Sequence, residues 1–131
     1  MNALMTSRTL APSLTMTLDV LAAEIELAGA RCIYLDRIIG DVMEGLPDAD
    51  RARLVEGMHG VDLLAQHLTS LSAFARGLSV AVPEDLTVPV GGAMSEVTLG
   101  ALVERMTAGL GGGDGDADEA EEASAGDIDL F

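Results

Sequence analysis

From Leu14 to Val42 apolar residues return every four, then every three positions: Leu14, Leu18, Leu21, Ile25, Ala28, Cys32, Leu35, Ile39 and Val42. A 4-3-4-3 spacing keeps side chains on one face of an α-helix and predicts a long helix over about 14–44. A second set, Val20, Ala23, Leu27, Ala30, Tyr34 and Ile38, makes the apolar face wider than a two-helix seam needs. Ser13 or Thr15 caps the start. The stretch "EGLPDADR" ends it. Gly45 suits the left-handed residue after a helix, Pro47 cannot continue one, and Asp48 is a good N-cap for the next. So short a connection turns the second helix back antiparallel.

That second helix is expected over about 49–78. Turning 100° per residue, Val61, Ala65, Leu68, Leu71, Ala75 and Leu78 fall within one sector of about 140°, extended by Leu54, Met58 and Leu64. Asp62 and Gln66 fall opposite, flanked by His59 and Thr69. Gly57 and Gly60 weaken the helix by about 1 kcal/mol each relative to Ala, for no reason legible in the sequence. Residues 80–95 hold Pro83, Pro89 and a Gly pair and are expected as a connector. Leu99, Leu102, Val103, Met106 and Leu110 then predict a short third helix over 96–110.

The fold class implied is all-α: a flexible N-terminus (1–13), then a long antiparallel helical hairpin (14–79). Helices of about 30 residues reach about 45 Å, and a lone hairpin has no third wall for the wide face of its first helix. Dimerisation into a four-helix bundle supplies that wall; the third helix of the same chain is the rival.

Composition changes the picture mainly at the C-terminus. Residues 111–126 are almost only Gly, Ala and acid and cannot bury enough apolar surface to fold, so a disordered acidic tail is expected. The chain closes on Asp127-Ile128-Asp129-Leu130-Phe131, read as a partner-binding peptide on that tether. Eight of the 22 acids lie in 111–131, leaving 14 against seven arginines in the body. The net charge of -15 argues against nucleic-acid binding and favours a partner with a basic patch. One cysteine excludes an internal disulfide, and His59 and His67 lack metal-spaced partners, so no metal site is expected. Charges interrupt every apolar run and no export signal is evident, so a cytoplasmic protein without a membrane span is expected.

Nucleophile elbows and phosphate loops are missing from the sequence. What remains is Asp62 with Gln66, the single glutamine of the chain, at i and i+4 on one helical strip about 6 Å apart. A glutamine amide donates and accepts at once without titrating, which suits it to orienting a water in phosphoryl hydrolysis.

The sequence Asp62-Leu63-Leu64-Ala65-Gln66 in the second helix of a hairpin, followed by a tethered acidic-apolar end, resembles the CheZ-like chemotaxis proteins. The size is closer to the small CheT-like members. The resemblance implies a dimeric four-helix bundle acting on a phosphorylated CheY-type response regulator. Gln66 would position water against the aspartyl phosphate, and Asp62 would engage the regulator's lysine. It implies no cofactor of the chain's own, the Mg²⁺ belonging to the regulator. Ile128, Leu130 and Phe131 would anchor the tail on a separate face of the regulator. Two alternatives stay open. One is a non-catalytic CheZ-like adaptor for a regulator or for the chemoreceptor methyltransferase. The other is a sliding-clamp ligand, because "DIDLF" resembles the clamp-binding pentapeptide with Asp127 replacing its glutamine.

Overall fold

The computed structural model describes residues 10–111, and most of them are helical. Helix α1 runs Leu14–Met43 and α2 runs Asp48–Ala81; the two pack together as an antiparallel hairpin. A one-turn α3, Gly91–Met94, and a short α4, Gly100–Gly109, follow. Among the described residues extended pairing is confined to one isolated bridge, between Ser13 and Thr87. The tether and the Asp127–Phe131 peptide lie outside the described residues.

The described chain divides into two compact units, one of residues 10–20 with 78–111 and the other Leu21–Gly77. In the first, Ser13 is the N-cap of α1: its hydroxyl accepts from the Met16 N–H at 3.0 Å. Residues 10–13, expected as part of a flexible N-terminus, instead pair with the connector. The N–H groups of Leu14, Val88 and Val90 donate to the carbonyls of Leu86, Pro12 and Leu10 at 2.7, 3.0 and 3.2 Å. Pro12 and Pro89 supply no N–H, which holds the pairing to a short irregular ladder. The hydroxyl of Ser79 donates to Asp19 at 2.6 Å, and its carbonyl accepts from Thr15 at 3.2 Å. Helix α4 starts at Gly100 rather than at 96, because Leu99 is extended (φ -82°, ψ 111°). It ends where Gly111 turns left-handed at φ 90°. Leu110 is 3% exposed, and a Cβ on Gly109 would stand 3.0 Å from Val20 Cγ2.

In the second unit the α1–α2 turn departs from expectation in two ways. Gly45 does not adopt positive φ; its N–H closes a tight turn on the Val42 carbonyl at 3.4 Å. Helix α2 begins one residue early, at Asp48, with the Arg51 N–H donating to the Pro47 carbonyl at 2.9 Å, which makes Pro47 rather than Asp48 the N-cap. Arg51 also donates its guanidinium to the carbonyls of Met43 and Leu46, satisfying the exposed end of α1.

The buried positions of the hairpin in this unit are small residues. Ala22, Gly29, Ser72 and Ala75 are buried, whereas no large side chain is fully buried. The Leu71 side chain, expected in the packed sector of α2, is 53% exposed, and Ser72 takes the buried position beside it. Small side chains allow the two backbones to come close: an added Cβ on Gly29 would lie 3.8 Å from the Leu68 Cβ. The Ser72 hydroxyl is satisfied within its own helix, donating to the Thr69 carbonyl at 2.9 Å.

Two glycine substitutions separate these packings. Gly29→Ala makes only ordinary contact with Leu68 and gains helix propensity, so it should stabilise by about 0.5–1 kcal/mol. Gly109→Ala presses on the stiff, branched Val20 and should destabilise instead. Thermal unfolding followed by circular dichroism reads both signs.

Candidate functional site

Helical geometry and the register at Gly29–Leu68 assign the remaining side chains of the Leu21–Gly77 unit to sides. In an antiparallel pair, equal rotations of the same sign from the packed direction lead to the same side. One side carries Glu26, Arg37, Asp62, Gln66, Thr69 and Arg76, together with the exposed Ile33. The other carries Leu21, Leu35 and Val42 from α1 with Leu64, Leu71 and Phe74 from α2, all exposed. Ile38 and Leu63 lie at its outer margin.

The polar side is tied across the hairpin by two pairs of opposite character. Arg76 grips Glu26 with two of its nitrogens, Nε at 3.1 Å and Nη2 at 2.8 Å, and this bidentate contact holds the Glu26 carboxyl below the usual glutamate range. Asp62, in contrast, meets another acid. The Asp36 carboxyl of α1 lies within side-chain hydrogen-bonding reach of it, and the Asp36 pKa is raised. The main cause is the hydrogen bond to Asp62 that only a protonated partner allows, followed by shielding from water and then by repulsion from the Asp62 charge. Asp36 Oδ1 is hidden from solvent and has no donor. Asp36 as a whole is partly open, so the shift is a local effect of two carboxyls held side by side.

Gln66 is one helical turn beyond Asp62, exposed and without a partner among the described residues. Asp62 is exposed as well, but its carboxyl borders α1 instead of pointing directly away from the hairpin. The arrangement therefore offers a neutral donor–acceptor amide beside a carboxyl pair that attracts a cation. Asp36 carried no signal in the sequence, because the apolar stripe runs unbroken from Cys32 to Leu35 and Ile39. His59 and His67 are exposed, and Cys32 is a half-buried free thiol on the packed side of α1.

Other chemistry is sparse. An open hollow of about 390 Å³ is lined by Leu46, Asp50, Arg53 and Leu54 and includes neither Gln66 nor Asp62. Among the described residues no group of three His, Cys, Asp or Glu side chains is placed to hold a metal ion. No described helix is long and apolar enough to cross a membrane.

The chain belongs to the DUF8776 family, described as a domain of unknown function, whose model matches residues 11–131. No curated protein and no solved structure matches it.

The carboxyl pair makes a signed prediction. A raised Asp36 pKa means that the pair's contribution to stability is full at low pH and is lost as pH rises through the Asp36 titration. Asp36→Asn, which donates to Asp62 without a charge, should therefore raise the melting temperature at pH 7. The gain over wild type should shrink toward pH 4. Melting curves at the two pH values check both the sign and the trend.

Proposed function

We propose that this member of the family acts on a CheY-type response regulator and promotes hydrolysis of its aspartyl phosphate. The observation that carries the reading is Gln66, an exposed and unengaged amide one turn from the Asp36–Asp62 carboxyl pair, on the side of the hairpin away from its apolar surface. In the reaction a water oxygen attacks phosphorus, the bond from phosphorus to the regulator's aspartyl oxygen breaks, and inorganic phosphate and a free carboxylate result. The Gln66 carbonyl accepts a hydrogen bond from that water and aligns it; the side chain carries no proton away. Asp62, with the Asp36 carboxyl beside it, pairs with the regulator's lysine. The metal ion that offsets phosphoryl charge belongs to the regulator, so the chain needs no cofactor of its own.

The protein works as a homodimer in this reading. The exposed Leu21, Leu35, Val42, Leu64, Leu71 and Phe74 form the face that a second hairpin covers, making a four-helix bundle with Gln66 on each outer flank. The Asp127–Phe131 peptide holds the regulator through Ile128, Leu130 and Phe131, and its acidic tether raises the local concentration of regulator near Gln66. With the same partner and no hydrolysis, the chain would be an adaptor.

Phosphoryl lifetime on candidate regulators decides the catalytic part. Wild type should shorten the lifetime at least tenfold, and Gln66→Ala should abolish the effect while still binding. Equal acceleration by Gln66→Ala would remove the role assigned to Gln66. Binding with an unchanged lifetime for wild type would leave the adaptor. Deleting 127–131 should weaken binding with little change in the rate at saturation, read by titrating the regulator.

A further inference from the structure

On the polar side of the Leu21–Gly77 unit a large apolar side chain stands uncovered close to Gln66. A helix returns to nearly the same orientation every seven residues. One repeat on from Glu26 is Ile33, and one repeat back from Arg76 is Thr69. The Glu26–Arg76 contact across the hairpin therefore places Ile33 opposite Thr69 on that side. One further repeat back along α2 reaches Asp62, at the carboxyl pair. Ile33 is 62% exposed, and the positions around it, Ala30 on α1 with Thr69 and Ala73 on α2, are short side chains, themselves exposed. It projects above them, between an ion pair satisfied within the chain and a carboxyl pair that is not. Gln66, one turn before Thr69, lies across the hairpin from it.

We infer that Ile33 seats the response regulator over Gln66, by entering a shallow apolar depression beside the regulator's phosphoryl site. The inference rests on the proposed function and adds to it a contact from α1. Asp62 and Gln66 lie along one helix and define a line, about which a rigid partner is free to tilt. Ile33, on the other helix, is a third point off that line and resists the tilt. It also supplies what the two polar groups lack. A carboxylate and an amide exchange water for partner contacts at little net gain, whereas covering an exposed isoleucine takes apolar surface out of water. Branching at Cβ holds the Ile33 side chain to few rotamers, so little freedom is lost when it is covered. An apolar centre with a polar rim is the common anatomy of an interface, and here the rim is Asp62 and Gln66 on α2 with Glu26 and Arg76 beyond. Ile33 touches no reacting atom in this arrangement and is a positioning residue.

The test titrates the full chain against a phosphorylated candidate regulator and reads both the dissociation constant and the phosphoryl lifetime, for wild type, Ile33→Ser, Ile33→Val and Tyr34→Ser. Tyr34 is the control, because it is as exposed as Ile33 but is turned away from α2. Ile33→Ser should weaken binding at least about fivefold and keep most of the rate at saturation, the reverse of Gln66→Ala. Ile33→Val should retain most of the affinity, and Tyr34→Ser should bind as wild type does. Melting temperatures near that of wild type for Ile33→Ser should show that the exposed side chain does no work in the fold. Ile33→Ser that binds as tightly as wild type would overturn the contact, and the proposed function would stand if Gln66→Ala still abolished hydrolysis. Ile33→Ser that lowers the mass of the free chain in sedimentation would place a second copy on Ile33 and overturn the contact as well. A wild-type chain that binds no regulator would overturn both.

Discussion

Close approach of α1 and α2 is the constraint on which the rest of the structure depends. Backbones pack this tightly only where side chains are small, and the buried positions of the Leu21–Gly77 unit are Ala22, Gly29, Ser72 and Ala75. Because the most deeply buried positions are small, large residues such as Leu68 are only partly covered in the seam, and many other leucines, isoleucines and valines lie exposed on its flanks. The hydrophobic stabilisation of the seam alone is correspondingly modest, since small side chains bury little apolar area. The chain thus has an apolar fraction of 49% and scarcely any deep core. Many of its large apolar side chains lie on the exposed flanks of the hairpin.

The same constraint orders the polar side. With the helices close together, side chains at the edge of the seam reach across it, and two such reaches occur. Arg76 and Glu26 are complementary, and the contact stabilises the carboxylate form. Asp36 and Asp62 are not, and their proximity favours one proton between them. A like-charge pair of this kind does nothing for the stability of a hairpin at neutral pH. Under the proposed function, the pair beside the single glutamine of the chain is where a cation of the partner would be met. In the same reading, division of the hairpin into an apolar and a polar side would let self-association and regulator binding proceed without competing for the same surface.

Much of this architecture was legible in the sequence, and the parts that were not share a cause. Helix ends could be placed because Pro47, the Ser13 cap and the Gly-rich stretch after Leu110 act locally. Apolar periodicity, however, reports polarity and not volume. It put Leu71 in the packed sector of α2 and overlooked Ser72, although the close seam selects the smaller residue. It likewise passed over Asp36, whose partner is 26 residues away in sequence and becomes a neighbour only once the register at Gly29–Leu68 is known. Pairing of residues 10–14 with 86–90 depends on long-range backbone hydrogen bonds that no local signal announces. Gln66 itself needed no structure to be singled out; its freedom from any contact within the hairpin did.

The central claim is that the two sides of the hairpin meet different partners. Site-specific photo-crosslinking tests it most directly, with a photoreactive amino acid at position 66 or at position 71 and a candidate response regulator held in its phosphorylated form. The account expects position 66 to capture the regulator and position 71 to capture a second copy of the chain, identified by the masses of the joined products. Capture of the regulator from position 71, or of a second copy from position 66, would contradict it.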